Sequence, residues 1–282
     1  MYRHNIIILL AACMLTACSK DCEKTLTISA LTEGNGTKTV LMEDRSVAFT
    51  ESDCLAVFDN AECRKFTVSA VYDDGSADFT GSLTTPANGY YAVYPYQDNC
   101  YVYGDKVCFT IPDVQSAVAG SFDPAANISV GRSVIVSEDT HSLTLKNVCS
   151  LVKFAVPEGK TYEAALLMTS NLYLAGEMLC TPGSAPSVEP TGETAASSVT
   201  LLGTITGGNW YYMAVRPVDL ADGFALHLFN KAEDVETYNY ATVKYTTNAV
   251  SFKRSRILNL GIIGAEFGAG FEPLAGETIF EW

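Results

Sequence analysis

From Thr25 onward the chain is a succession of short runs in which apolar residues either alternate with polar ones or follow one another, rich in Val, Ile, Thr, Tyr and Phe. Turn residues interrupt these runs at short intervals, and no window sustains a helical period over three turns. Such a pattern predicts strands rather than helices. The predicted strands cover residues 37–42, 46–51, 54–59, 65–72, 77–79, 90–94, 106–111, 143–156, 166–174, 199–202, 210–215, 224–229, 238–245 and 250–260.

The order of these strands predicts an all-β chain built from sandwiches. Asp73-Asp74-Gly75-Ser76 between two strand runs predicts a hairpin turn. The polar stretch from Ser137 to Ser142 separates two groups of strands of similar size, so we place a domain boundary between residues 139 and 140. The two predicted domains are therefore residues 18–139 and 140–282.

The first apolar run, Ile6 to Leu15, has no charged residue and follows Arg3 and His4. A helix of this length rises about 15 Å, half the thickness of a bilayer core, so it is too short to span a membrane. A positive start, an apolar middle and small residues at the end are typical of an export signal. Residues 1–17 are therefore predicted to be removed from the mature protein.

The end of this signal, Leu15-Thr16-Ala17-Cys18, resembles the bacterial lipobox. The thiol of Cys18 is then the atom that carries the lipid, and the small residues before it give a peptidase access to the bond. Two or more acyl chains make such an anchor effectively permanent. The alternative is an ordinary signal peptide in which the cysteine has no such role.

The net charge of the chain limits the classes of molecule that it can bind. The chain has 32 acidic and 18 basic residues and a formal net charge of -14. Its densest basic stretch, Lys253-Arg254-Ser255-Arg256, is short and is interpreted as edge charges that discourage strand aggregation. The sequence therefore predicts no nucleic-acid partner. An apolar share of 48% and an aromatic share of 11% argue for a folded chain.

The cysteines do not form a metal or disulfide motif. Of nine cysteines, Cys13 leaves with the signal and Cys18 takes the lipid, while the rest include no C-x-x-C pair. Several lie in strand-like runs, as Cys54 does, where cysteine acts as a small buried hydrophobe. A disulfide framework is not indicated, although a bridge or two after export stays open.

Residues for catalysis are scarce. Histidine remains in the mature chain only as His141 and His227, and no motif for a zinc protease, a serine hydrolase or a phosphate-binding loop occurs. The carboxylates of residues 73–78 lack the spacing of a calcium loop. The sequence therefore predicts no enzyme, no cofactor and no metal site.

The densest aromatic stretch is Tyr90-Tyr91-Ala92-Val93-Tyr94-Pro95-Tyr96. On a strand Tyr90, Tyr94 and Tyr96 share one face, where Tyr94 and Tyr96 could stack on sugars. The alternative is that these rings pack in the core. This stretch supports a second functional hypothesis, a lipid-anchored surface glycan-binding protein that does not polymerise.

Several stretches together resemble the fimbrillin family, the lipoprotein pilins that build type V pili. These stretches are residues 37–41, 47–49, 53–58, 143–156, 210–217 and 252–260. The resemblance implies two transthyretin-like β-sandwich domains in tandem. It also implies a structural or adhesive subunit of surface fimbriae, held at the outer membrane by its lipid. Its partners would be other fimbrial subunits and a host or bacterial surface ligand.

In this family a trypsin-like protease cuts after an arginine that follows the first strand, and a strand of the neighbouring subunit fills the resulting groove. The resemblance places the cut at Arg45, so that the processed chain begins at Ser46. The alternative is a hairpin arginine in an uncut, membrane-anchored subunit. The acidic neighbours Glu43 and Asp44 do not favour a trypsin-like enzyme.

The donor strand would come from the tail that begins at about residue 261. This tail is rich in glycine and offers apolar side chains at Phe271, Leu274, Ile279, Phe280 and Trp282. Pro273 interrupts it as a continuous central strand. A detachable donor and a tail that folds back over its own domain are both left open.

Overall fold

A computed structural model describes residues 23–33, 49–84, 87–192, 194–231 and 238–263, except for the side chains of 231–245. These residues form strands, and they include no helix long and apolar enough to cross a membrane. The strands are β1 (Lys24–Thr32), β2 (Cys54–Phe58), β3 (Cys63–Val71), β4 (Ala77–Leu83), β5 (Tyr91–Tyr94), β6 (Tyr101–Tyr103), β7 (Lys106–Ile111), β8 (Val114–Ser116), β9 (Ser129–Arg132), β10 (Val134–Ser137), β11 (Thr140–Asn147), β12 (Ser150–Ala155), β13 (Thr161–Met168), β14 (Gly176–Thr181), β15 (Ser187–Pro190), β16 (Ser198–Thr206), β17 (Trp210–Val215), β18 (Val218–Leu220), β19 (Phe224–Lys231), β20 (Tyr238–Thr246), β21 (Val250–Phe252) and β22 (Ile257–Ile262).

The first sheet closes on itself. Its strands follow the order β1-β4-β3-β2-β5-β9-β11, and β11 pairs back onto β1, while β10 pairs with β11 beside β9. We call this closed sheet the barrel. Side chains of β1, β2, β3, β4, β5 and β11 fill its interior, together with Phe49 and Tyr90. The strand residues are Leu26, Ile28, Ala30, Leu55, Val57, Phe66, Ala77, Phe79, Leu83, Ala92, Tyr94, Leu143 and Leu145.

The outer face of the barrel is buried along β2 and β5. Leu55 and Val57 point into the barrel, whereas Ala56 and Phe58 belong to the core of the second layer, and all four are fully buried. Because both faces of β2 lose contact with water, its sequence is a continuous apolar run instead of an alternating one.

The second layer is built from the sheets β15-β14-β7-β6, β20-β19-β13-β16-β8, β17-β12-β22 and β18-β21. Two of these sheets contain strands from both halves of the chain, since β7 pairs with β14 and β8 pairs with β16. The buried amide of Gln115 strengthens this link: its Nε2 donates to the carbonyl of Ala214 at 2.7 Å, and its Oε1 accepts from the N–H of Ala214 at 2.9 Å.

The residues on either side of the predicted 139/140 boundary lie in a single hairpin. β10 precedes the turn and β11 follows it, and β11 pairs with β1 of the barrel. The strand predicted over 143–156 is divided into β11 and β12. Between them the side chain of Asn147 accepts a hydrogen bond from the N–H of Cys149 at 2.8 Å. Such an Asx turn redirects the backbone, and the chain leaves the barrel there.

The all-β class predicted from the sequence is confirmed. The strands predicted at 106–111 and 210–215 match β7 and β17, and those at 54–59, 65–72, 199–202, 224–229 and 238–245 lie on β2, β3, β16, β19 and β20. The run 250–260 is divided into β21 and β22, and 166–174 overlaps only the end of β13. The prediction at 37–42 and the first half of that at 46–51 fall outside the described residues.

The cysteines in the described part of the chain are free thiols: Cys54, Cys63, Cys100, Cys108, Cys149 and Cys180. The last four are buried, as expected for cysteine used as a small hydrophobe. Burial raises the pKa of the Cys149 and Cys180 thiols to about 12, so both stay protonated and unreactive at neutral pH.

Gly81 on β4 tests the packing of the barrel. A Cβ at this position would lie 2.4 Å from Cδ2 of Phe66, whose ring is fully buried. Gly81→Ala forces that ring to move, and we expect a loss of about 1–3 kcal/mol in the free energy of unfolding measured by chemical denaturation. Gly183→Ala is the matched control, because a Cβ there meets open space. Equal stability of the two variants would contradict this packing.

Candidate functional site

The space that β1 occupies between β4 and β11 is the first candidate site, and we call it the first-strand slot. β1 pairs antiparallel with β4 from Lys24↔Leu83 to Ala30↔Ala77. On its other side it pairs in parallel with β11 from Thr27↔Thr140 to Thr32↔Leu145. One strand near the start of the chain therefore supplies the backbone partners of two strands that are distant from it in sequence.

Alternate side chains of β1 fill the slot. Leu26, Ile28 and Ala30 point into the barrel and expose 2% or less of their surface. The side chains between them face outward, and the hydroxyl of Ser29 donates to Asp78 Oδ1 at 2.6 Å on β4. This alternation is the pattern expected of a strand with one face on a core and one face in water.

An ionic contact holds the start of β1. Lys24 Nζ lies 2.9 Å from Asp139 Oδ1 and donates to the carbonyl oxygen of Glu138 at 2.8 Å. All three residues sit beside the β10–β11 turn. The contact joins the first residue of β1 to the turn of the hairpin that it pairs with, and it is largely open to solvent.

A second ionic cluster holds the other end. Glu33 lies 3.3 Å from Lys146 Nζ and accepts a hydrogen bond from the Arg254 guanidinium. Arg254 also donates to the carbonyl of Asn147 at 2.9 Å. Burial tends to raise the pKa of the Glu33 carboxyl, but hydrogen bonds from Arg254, Lys146 and Ser255 outweigh it and hold this pKa below its ordinary value. The cluster ties β1 to the segment between β21 and β22.

A groove on the outside of the barrel is the second candidate site, with a volume of about 650 Å³. Tyr91, Arg132 and Lys146 project from β5, β9 and β11 on one wall, while Asp105 and residues 181–184 form the other. The Arg132 guanidinium lies 5.3 Å from the centroid of the Tyr91 ring. An aromatic ring stacked under a cation and surrounded by hydroxyls suits a polar ligand with an acidic or sugar-like face.

The tyrosines singled out in the sequence lie elsewhere. Tyr94 exposes 5% of its surface, and its ring packs edge-on against Phe49 at 5.4 Å inside the barrel. Tyr96 is partly buried, with Lys65 Nζ 5.2 Å from its ring centroid. Tyr91, three residues before Tyr94 on β5, lies on the opposite face of the strand and lines the groove, because successive residues of a strand point to opposite faces. The core alternative is therefore the one that describes Tyr94.

The processing and lipidation residues lie outside the described residues. These are Cys18, Arg45 and Ser46, together with the predicted tail beyond Ile263. The strand β22 continues to Ile262, past the position where the sequence placed the start of this tail.

A serine and a histidine do meet in the barrel. Ser133 Oγ lies 3.1 Å from His141 Nδ1, and both residues are about 97% buried, with 3% of their surface exposed. Ser133 Oγ also accepts a hydrogen bond from the N–H of Tyr90 at 2.9 Å. Burial lowers the pKa of His141, with a smaller contribution from Lys24. This pair ties β5 to β10 and β11, and a substrate has no access to it.

Sequence reasoning missed β1 and most of the residues of both sites. The alternation Leu26, Ile28, Ala30 is a strand signal that could have revealed β1. Arg254 was interpreted as an edge charge, whereas it binds Glu33 and the backbone of Asn147. No sequence signal connects Arg254 to Glu33, because the pair spans most of the chain.

No family model matches the chain, and no curated protein matches it. Among solved structures, a protein from Bacteroides uniformis ATCC 8492 described as a candidate for cell adhesion is 14% identical with a TM-score of 0.48, over 86% of this chain and 93% of its own. A fimbrial protein from Bacteroides ovatus ATCC 8483 is 12% identical with a TM-score of 0.37, over 85% of this chain and 48% of its own. The tip fimbrial protein Mfa3 from Porphyromonas gingivalis is 10% identical with a TM-score of 0.34, over 84% and 94%.

These neighbours are described as cell-adhesion and fimbrial proteins. At identities and TM-scores this low they carry no argument about what this chain does.

The ion cluster at the end of β1 makes stability depend on pH. A carboxyl whose pKa is lowered on folding stabilises the folded chain above its ordinary pKa, and this contribution is lost as the pH falls through the lowered value. We expect Glu33→Gln to reduce the free energy of unfolding at pH 7 by about 1 kcal/mol and to have a smaller effect near pH 3.

Chemical denaturation of both proteins at the two pH values measures this difference. Glu189→Gln is the matched control, since the Glu189 side chain is 57% exposed and pairs with Lys106 at the surface. A gap between the Glu33 variant and the unchanged protein that is the same at both pH values would contradict the prediction.

Proposed function

We propose that this chain is a structural or adhesive subunit of cell-surface fimbriae, assembled by strand exchange between subunits. The observation that supports it most is the position of β1: the first described strand of the chain fills the slot between β4 and β11, and it precedes Arg45. A cut after Arg45 would separate this strand, with Cys18 and its lipid, from the rest of the chain.

Departure of β1 would leave a site that favours another strand. Backbone groups of β4 and β11 would lose their partners, and an unpaired edge readily accepts a strand from another chain. The positions left by Leu26 and Ile28 would be empty as well, and burying an aliphatic side chain of this size stabilises by about 1.5–3 kcal/mol. An incoming strand therefore needs apolar side chains at alternate positions.

The candidate donor is the tail beyond Ile263, which contains Phe271, Leu274 and Ile279. A tail of one subunit in the slot of the next is a head-to-tail contact that does not close, so it gives a polymer. Cys18 holds the uncut subunit at the outer membrane through lipid in this scheme. The partners are other fimbrial subunits and, at the cell surface, a host or bacterial ligand.

Processing and assembly can be tested on the chain from Ser19 onward. Limited treatment with a trypsin-like protease is expected to give a product that starts at Ser46 and grows into filaments, because the slot becomes available. Arg45→Ala should block both the cut and the filaments, whereas Arg64→Ala should block neither. N-terminal mass measurement and electron microscopy are the two readouts.

Deletion of residues 264–282 separates the two steps. It should leave the cut at Arg45 intact and prevent filament growth if the tail is the donor. A surface form of the protein that keeps Cys18 with its lipid, on cells without fimbriae, would overturn the polymer proposal.

A glycan-binding role is the second candidate, and the groove beside Tyr91 and Arg132 favours it. An aromatic face is a common platform for a sugar ring, and the hydroxyls of Ser142 and Thr144 offer hydrogen bonds to its oxygens. In this role the lipid-anchored chain would not need to polymerise.

Binding to a glycan array tests this role. Tyr91→Ala is expected to weaken binding at least about tenfold, because it removes the platform. Tyr103→Ala is the matched control, since Tyr103 is 66% exposed and is not part of the groove lining. An unchanged protein that binds no glycan, or a Tyr91 variant that binds as well as the control, would count against the role.

A further inference from the structure

One wall of the groove outside the barrel carries a row of three polar side chains. Tyr91 on β5 pairs with Arg132 at the end of β9. β9 and β10 pair with β11 in one continuous register, so Arg132 also lies opposite Thr144. All three residues line the groove. The middle strand thus places a guanidinium between a phenol ring and a hydroxyl.

Alternate residues of β11 extend this row along the groove. Residues 141, 143 and 145 are buried, whereas Ser142 and Thr144 are exposed and Lys146 is half-buried. Because a strand rises about 3.4 Å per residue, these three positions follow one another at intervals of about 7 Å. Two hydroxyls and an ammonium group therefore stand beside the guanidinium. A ligand with several oxygen atoms can reach more than one of these groups.

An aromatic ring holds the guanidinium of Arg132. The guanidinium carbon lies 5.3 Å from the centroid of the Tyr91 ring. This ring in turn contacts the fully buried Phe58, with 6.2 Å between the two ring centroids. A guanidinium stacked on a ring keeps the N–H donors at its edge free for a ligand. The Arg132 side chain is therefore fixed by Tyr91 and remains exposed to the groove.

The charge of Arg132 is not neutralised by a carboxylate of the described chain. The ion pairs in this part of the molecule involve other lysines and arginines. Lys146, the other cation that lines the groove, pairs with Glu33 at 3.3 Å. Among the described residues that line the groove, Asp105 is the one carboxylate, and it lies on the opposite wall. The groove therefore offers one unneutralised cation in a chain whose net charge is -14.

This arrangement fits a ligand that brings one negative charge and several hydroxyl groups. The planar fork of an arginine binds a carboxylate through two parallel hydrogen bonds. Hydroxyl side chains can both donate to and accept from the hydroxyls of a sugar. We infer that the groove binds an acidic sugar, with its carboxylate on Arg132 and its hydroxyl groups on Ser142 and Thr144. The inference rests on the proposed glycan-binding role and assigns a class of ligand to it.

The charge balance of the chain favours a sugar with a single carboxylate over a polyanion. A densely sulfated glycan carries several negative charges on each repeat. It would find one unneutralised cation in the groove, and the net charge of -14 would repel the rest of it. One carboxylate, in contrast, is matched in charge by Arg132 alone.

Titration calorimetry on the chain from Ser19 onward tests the class of ligand. The probes are a trisaccharide of galacturonic acid, sialyllactose, the methyl esters of both, and a sulfated galactose trisaccharide. Each acid should bind at least about tenfold more tightly than its ester, because esterification removes the charge and keeps the sugar rings. Added salt should weaken the binding of the acids more than that of the esters.

Arg132→Gln separates the charge from the rest of the groove, and it should remove the preference for the acids over their esters. Arg256→Gln is the matched control and should keep this preference, because it takes one positive charge from an exposed arginine outside the groove. Glu33→Gln should tighten the binding of the acids about threefold, since it leaves Lys146 unneutralised. Thermal unfolding checks that each variant is folded.

The outcomes distinguish this inference from the glycan-binding role itself. Esters that bind as tightly as the acids, or an Arg132 variant that keeps the preference for the acids, would overturn the inference alone. A sulfated probe that binds more tightly than the carboxylated ones would overturn it as well, and so would binding to neutral glycans of an array but to none of these probes. A protein that binds neither these probes nor any glycan of the array would overturn the role and the inference together.

Discussion

The barrel depends on one contact, the insertion of β1 between β4 and β11. Without it the remaining strands form an open sheet with two edges whose backbone groups lack partners, around an interior missing the side chains of Leu26 and Ile28. A strand close to the start of the chain thus closes a sheet whose other strands come later in the sequence. The sheet is a closed barrel when β1 is in place, and it would be open without β1.

The second layer fixes the barrel from outside. Phe58 and its neighbour Ala56 take part in the core that also contains β7 and β14, while the Gln115 amide connects β8 to β17. Because strands from the first half complete sheets of the second, removal of β1 would open the barrel without detaching it from this layer. The Glu33–Arg254 contact joins the residue after β1 to the segment between β21 and β22.

The functional surfaces lie on separate parts of the barrel wall. The first-strand slot lies between β4 and β11, and the groove lies outside β5, β9 and β11. Arg132 contributes to the groove by stacking on Tyr91.

The sequence by itself determined the strand content of this protein and the positions of many strands, because alternation and turn residues are local properties that a short stretch carries in full. It also predicts an export signal that ends at Cys18, and it contains no catalytic motif. The tertiary structure decided what depends on distant residues. It buried Tyr94 and left Tyr91 in the groove, since the identity of the core face depends on which strands pack against β5. It placed β11 in the barrel, across the predicted boundary, because its partner β1 lies more than a hundred residues earlier. The apolar run Val134–Val136 is visible in the sequence, but its exposure on a free edge is not, because only the pairing of the other strands shows that β5 ends before reaching it.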